Sequence, residues 1–215
     1  MIRVLILDLD NTLYPASATM EADIIRRMTS YASRVTGLTV EEAWAMRKVR
    51  MPLYGTTLEW LMTEYGFTDT DDYFAAVHPD GEEAALAPDP ELGPLLDSID
   101  LPKYVFTNAP VEHADRVLAH LGVADRFRRV FDIKWNKLRG KPHAEAVDRV
   151  LKAVASDTGA RPADILFADD VPSYVRGFVA RGGAGVLVDL DGRHGDSGLT
   201  TIASLAELPA LLASA

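Results

Sequence analysis

The stretch LILDLDNT, residues 5–12, decides how this chain is read. Val4 to Leu7 form a short apolar run that leads directly into Asp8, and Asp10 follows with one leucine between them. A run this short, without helical period, fits a strand buried on both faces of a parallel sheet. Its end is the difficulty. Two carboxylates about 4 Å apart repel by roughly 4 kcal/mol at an effective dielectric near 20. A chain that places Asp8 and Asp10 together at the end of a buried strand needs a cation to offset them.

Further along, Tyr104–Phe106, Ile165–Ala168 and Val186–Val188 repeat the signature of a buried strand, and Val130–Ile133 does so more weakly. Segments of helical period separate them. Val147, Val150, Leu151 and Val154 fall at i, i+3, i+4 and i+7, and Val171, Tyr174, Val175, Phe178 and Val179 repeat the pattern beside Pro172. Ala203–Leu212 reads as a closing helix. Strands alternating with helices predict an α/β fold with a doubly wound parallel sheet, because parallel neighbours require crossover connections. Residues 15–87 break this rhythm. They carry only helical patterns, such as Leu58, Leu61, Met62 and Tyr65, and a structureless loop of that length is improbable in a compact domain. The expectation is a core made of residues 1–14 and 88–215 with a helical cap, residues 15–87, inserted after the first strand.

The bulk numbers restrict function. Thirty-two acidic residues against 22 basic ones give a net charge of −10, which argues against nucleic acid, whose phosphates demand clustered Lys and Arg. The chain has no cysteine, so it has no disulfide, no thiolate nucleophile and no zinc–thiolate site. With no leader-like segment and no apolar window near the roughly 18 residues a membrane span needs, a soluble cytoplasmic protein is expected.

Ligands of open α/β sheets bind beyond the carboxyl ends of the strands. Asp8 and Asp10 lie there, Thr107 and Asn108 follow the second strand, and Asp169 and Asp170 follow a later one. Lys141, before Pro142 at a helix start, can reach the same edge. Four clustered carboxylates would be strained if ionised and empty. A divalent cation relieves that strain, and all-oxygen ligation suits Mg²⁺. With the metal and Lys141 in place, the site accepts a phosphate dianion, to which Thr107 and nearby N–H groups donate.

In this order, Asp8-Leu-Asp10-Asn-Thr12, Thr107-Asn108, Lys141-Pro142 and Asp169-Asp170 resemble the four motifs of the haloacid dehalogenase (HAD) superfamily, over nearly the whole chain. RMPLYGTTL (residues 50–58), YFAAVH and APDPELGPLL resemble its pyrimidine 5′-nucleotidase branch. The resemblance implies a Rossmann-like core with a helical cap and a Mg²⁺-dependent phosphatase that hydrolyses small phosphomonoesters through an aspartyl phosphate. The implied substrate is a small phosphorylated metabolite, foremost UMP or CMP. It implies Asp8 as nucleophile and Asp10 as acid and base, a role that calls for a raised pKa. Thr107 would hold the phosphoryl group and Lys141 would neutralise charge. The metal would be held by Asp8, the Asp10 carbonyl, and either Asp169 or Asp170. Substrate contacts are implied for Thr12 and Asn108, with Arg50, Tyr54 and Thr56 in the cap.

Other readings stand beside this one. They are a broader sugar or metabolite phosphatase, a phosphomutase, and a phosphate-binding module without turnover. Monomer and homodimer are both open. Relatives of this kind commonly place Ser after the last acidic pair and Asn further on, where Val171 and Tyr174 stand; both fit a buried helical face, leaving the orientation of the pair unexplained. Asp189-Leu-Asp191-Gly192 reads as a turn, and His78 as a structural histidine.

Overall fold

The computed structural model describes residues 1–15 and 19–214. Among these, six strands form one parallel sheet: β1 (Val4–Leu7), β2 (Lys103–Phe106), β3 (Arg129–Phe131), β4 (Ile165–Asp169), β5 (Ala184–Val188) and β6 (Thr201–Ile202). Their order is β3-β2-β1-β4-β5-β6. The chain starts at the centre, builds toward β3, then returns to lay β4 on the other side of β1. That reversal opens a crevice between the carboxyl ends of β1 and β4. Leu7 is in register with Ala168, so Asp8 and Asp169 emerge side by side.

Alternation along the strands explains how the sheet is covered. Val4, Ile6, Tyr104, Phe106, Ile165 and Phe167 face one layer, and Leu5, Leu7, Val105, Leu166, Ala168 and Val186 face the other. The first face packs on α7 (Ala144–Thr158) and on Phe178 of α8 (Pro172–Val179). The second is covered by α5 (Leu92–Ser98), α6 (Val111–His120) and the segment between β1 and α5. A final helix, α9 (Leu208–Ser214), closes the described chain.

Between β1 and α5 run four α-helices, one 3-10 turn (Glu82–Ala85) and no strand among the described residues: the α-helices are α1 (Thr19–Thr36), α2 (Val40–Tyr54), α3 (Thr57–Tyr65) and α4 (Thr70–Val77). Residues 16–18, part of the expected cap entry, lie outside the described residues. The helix starts are written in the sequence. Thr39 and Glu42 form a capping box on α2, the Thr56 hydroxyl accepts from Glu59 N at the start of α3, and the Asp69 carboxylate accepts from Asp72 N on α4. Tyr31, Phe67 and Tyr73 pack edge to face and join α1 to α4, with centroids 5.0–6.5 Å apart.

Some boundaries differ from expectation. β3 stops at Phe131 because the Asp132 carboxylate accepts from the backbone N–H of Val111, Lys134 and Trp135, which turns the chain. β6 has two residues, too few to show a period. The closing segment begins as a 3-10 turn capped by Ser204. At Asp189–Gly192 the Asp189 carboxylate accepts from Arg193 N and His194 N, as a turn requires.

The junction of α2 and α3 touches the core at Gly55. Its φ is +80°, and a Cβ there would lie 2.7 Å from the Lys141 carbonyl oxygen. Gly55→Ala therefore combines a left-handed backbone with a backbone clash, and a loss of about 1–3 kcal/mol is expected in urea unfolding. An unchanged midpoint would show that this contact is not tight.

Candidate active site

Lys141 is 1% exposed, and its ammonium lies 2.8 Å from Asp8 Oδ1 and 2.6 Å from Asp169 Oδ2. The rings of Phe106, Phe167 and Tyr174 surround it, with centroids 5.1–5.4 Å from Nζ. Burial works against its charge, but Asp169 and Asp8 outweigh burial and hold it protonated, above the ordinary lysine range. Burial pushes Asp8 well up; Lys141 opposes the shift, and Asp169, Asp170 and Asp10 add to it. Asp169 is raised in the same way, by burial against Lys141. Asp170 is pushed up to about 7 by burial and then by Asp169. One lysine does not balance this group of carboxylates.

Asp10 sits in different surroundings. Asn11 takes φ +62°, a left-handed conformation asparagine tolerates, and the chain turns so that Asp10 faces α6. There His113, fully buried, places Nε2 2.7 Å from Asp10 Oδ1, and Tyr14 OH donates to the same oxygen. The other ring nitrogen of His113 lies 2.7 Å from Glu82 Oε1, which also meets His78 Nδ1 at 3.0 Å. Arg27 pairs with the second Glu82 oxygen. Both His113 nitrogens are thus engaged by carboxylates, so this buried His78–Glu82–His113 group is a hydrogen-bonded network. Burial opposes the charge on His113, yet Asp10 and Glu82 push its pKa up to about 9. Burial would raise Asp10, but the His113 cation outweighs it and holds the carboxyl below its usual range. The expectation of a raised pKa at Asp10 is corrected: the elevated carboxyls are Asp8, Asp169 and Asp170.

The Thr107 hydroxyl accepts from Ala109 N at 3.0 Å, and its own hydrogen has no acceptor among the described residues. Asn108 was expected to touch substrate, but its side chain is committed to the backbone of Lys141. Oδ1 accepts from Lys141 N at 2.8 Å and Nδ2 donates to Lys141 O at 2.9 Å. Gly140 is required beside it, since a Cβ there would lie 2.0 Å from Asn108 Oδ1. Val171 N donates to Asp169 Oδ1 at 2.7 Å, and Tyr174 covers Lys141 while donating to Gly55 O at 3.2 Å. Both residues line the crevice, Tyr174 while also packing against the buried cluster of the sheet, and the Val171 N–H accounts for the orientation of Asp169.

A cavity of about 460 Å³ joins Asp8, Asp10, Thr107, Asn108, Lys141 and Asp170 to the inserted helices. Thr56 lines it. Arg50 and Tyr54 do not, because both side chains reach Glu64, at 2.8 Å and 3.0 Å. Thr12 is also away from it, fully buried with a hydroxyl that has no hydrogen-bond partner among the described residues. Arg47 and His113, which sequence reasoning missed, belong to the site. Ala43, Arg47 and Met51 recur every four residues on one side of α2, and His113 and Val117 do so on α6, so a polar residue in a buried stripe was the available signal.

Whether a divalent cation fits can be judged from the donors. Carboxylate oxygens of Asp8, Asp169 and Asp170 lie within 4.8 Å of one another. Asp169 has both oxygens engaged, by Lys141 and Val171 N. Among the described residues, no donor reaches the Asp170 carboxylate or the Asp10 carbonyl. An all-oxygen set with raised carboxyl pKa values and unused acceptors suits a hard cation.

Comparison with known proteins agrees with this architecture. A model of the haloacid dehalogenase-like hydrolases matches residues 2–177, and the chain belongs to that family of hydrolases. A phosphatase described as predicted, from Clostridium acetobutylicum, shares the fold with a TM-score of 0.68 at 17% identity over 100% of both chains. The HAD phosphatase from Thermococcus onnurineus gives 0.63 at 17%, covering 99% of this chain and 98% of its own. L-2-haloacid dehalogenase from Xanthobacter autotrophicus gives 0.61 at 18%, with 99% of each chain covered. At these identities the likeness is one of fold. No helix among the described residues is long and apolar enough to cross a membrane.

The His113 pairing has a consequence for stability. A pKa raised from 6.5 to about 9 on folding contributes stability that is fully present below pH 6.5 and lost as pH rises through about 9. His113→Gln should therefore cost more at pH 6 than at pH 10 in denaturant titrations. An equal cost at both would show that His113 is neutral in the fold.

Proposed function

We propose that this hydrolase is a Mg²⁺-dependent phosphatase of small phosphomonoesters, working through an aspartyl phosphate, with pyrimidine nucleoside 5′-monophosphates as preferred substrates. The observation that carries the reading is Asp10, paired with buried His113 and lining the same cavity as Asp8 and Lys141. A nucleophilic carboxylate such as Asp8 serves several displacements. A proton-handling carboxyl two residues away is needed when the departing group is an alkoxide.

In this reading an Asp8 oxygen forms a bond to phosphorus while the ester P–O bond breaks and its electron pair stays on the alcohol oxygen. The leaving oxygen takes a proton from Asp10. His113 and Tyr14 both bond to Oδ1 of Asp10, which leaves Oδ2 for this exchange; because the resting pair keeps its proton on His113, Oδ2 takes up a proton from solvent when the phosphoester binds and passes that proton to the leaving oxygen. Asp10 next takes a proton from water, the resulting hydroxide attacks phosphorus, and the Asp8 carboxylate is released. Lys141 offsets charge on Asp8, and the Thr107 hydroxyl donates to a phosphoryl oxygen. Asp8, the Asp10 carbonyl and Asp170 would hold the Mg²⁺, while Asp169 secures Lys141. When bound, the ion supplies positive charge to the carboxylates and to the phosphoryl oxygens.

Two features support a pyrimidine nucleotide: the likeness of residues 50–58 to the nucleotidase branch, and a cavity walled by Ile24, Met28, Leu58 and Phe74 that accommodates a flat base. Asp8→Asn should abolish hydrolysis without loss of fold, and near-normal turnover would exclude the covalent route. UMP and CMP should show higher kcat/KM than purine nucleotides or sugar phosphates; a flat profile would remove the substrate assignment alone.

The metal has its own readout. At 100 times its dissociation constant, Mg²⁺ should stabilise the fold by about 2.7 kcal/mol. This should appear as a rise in Tm that Asp170→Asn largely removes. A Tm indifferent to millimolar Mg²⁺ would count against the site.

A further inference from the structure

Arg47 is 7% exposed and lines the cavity, and no carboxylate among the described residues lies within 4 Å of its guanidinium. Its partners are neutral. Nε donates to Thr57 Oγ1 at 2.9 Å, Nη1 to Thr29 Oγ1 at 3.0 Å, and Nη2 reaches the weakly accepting Met28 Sδ at 3.4 Å. The Thr29 hydroxyl has already given its own hydrogen to Ile25 O. The Trp44 ring lies 5.6 Å away. A guanidinium has five N–H donors, so one on each terminal nitrogen is left without a described partner. The fork is held in place from three sides, and its charge is answered by none of them.

Buried cations are normally paired, and a neutral side chain would tie α2 to its neighbours at less cost. The elsewhere-saturated ion pairs of the insert, such as Arg27 with Glu82 and Arg50 with Glu64, show that the chain supplies carboxylates where it needs them. Around Arg47 the cavity wall is apolar, formed by Met28, Met51 and Leu58.

We infer that Arg47 is the specificity-determining residue of a leaving-group subsite, where its free N–H pair binds a planar edge with two acceptors on the part of the substrate beyond the phosphoryl group. The adjacent O2 and N3 acceptors of cytosine and the two oxygens of a carboxylate share this chemistry; the N3–H of uracil interrupts it, and hydroxyl-bearing or purely aromatic leaving groups lack it. The inference rests on the phosphatase reading above, because it assumes that the phosphoryl group sits at Asp8.

The test compares wild type with Arg47→Met on CMP, carboxymethyl phosphate and phenyl phosphate in saturating Mg²⁺. Charged hydrogen bonds lost from a buried site should lower kcat/KM for CMP or carboxymethyl phosphate by about 10- to 100-fold, chiefly through KM. Phenyl phosphate should change by less than about threefold. Loss on CMP alone identifies the cytosine edge, and loss on carboxymethyl phosphate alone identifies a carboxylate. Equilibrium binding of the same compounds to Asp8→Asn, with and without Arg47→Met, reads the subsite independently of turnover. Absent hydrolysis with Arg47-dependent binding would defeat the phosphatase reading and keep the subsite. Arg47→Met should also leave Tm unchanged or raise it, since it removes an unpaired buried cation. Equal losses on all three compounds, unchanged selectivity, or a lowered Tm with intact selectivity would each overturn the inference.

Discussion

Everything in this molecule turns on a buried ammonium placed between two carboxylates. Lys141 lies 2.8 Å from Asp8 and 2.6 Å from Asp169, with three aromatic rings around it. Without the lysine the two buried carboxylates would have no counter-charge, so the three segments that carry this group must arrive together. The fold is arranged to meet that constraint. Parallel pairing of β1 with β4 sets Asp8 beside Asp169, and Asn108 holds the Lys141 backbone at both its N–H and its carbonyl.

A second constraint follows from the first. Lysine compensates only part of the acidic charge, and the chain separates the remainder by environment. Asp10 is drawn off to His113, which holds it ionised, while Asp170 is left with a raised pKa and no donor among the described residues. Like residues in neighbouring positions acquire different capacities because one faces an imidazolium and the other faces carboxylates. Asp170 can accept a cation, and Asp10 can exchange a proton.

The inserted helices bring a separate contribution. Their contact with the core is close at Gly55, Lys141 and Tyr174, so the cavity wall that the insert supplies is anchored to the buried lysine. In the proposed reading the apolar wall and Arg47 act on whatever lies beyond the phosphoryl group, which divides the chemistry from the choice of substrate.

Much of the fold was legible in the chain. Short apolar runs marked the buried strands, helical spacing marked the crossovers, and Asp8, Asp10, Lys141, Asp169 and Asp170 stood at strand or helix ends, because these are local properties of period and position. What the sequence could not show was which way a side chain on a helix faces once its neighbours are packed. Arg50 and Tyr54 look as suitable as Arg47 until α3 places Glu64 against them, and Asn108 looks like a ligand contact until Lys141 occupies it. His113 is unremarkable in sequence and becomes the partner of Asp10 only through α6 packing across residues a hundred positions apart. Local pattern determined where the charges stand along the chain. Tertiary packing decided which of them are paired, because a charge is stabilised by whatever surrounds it in space.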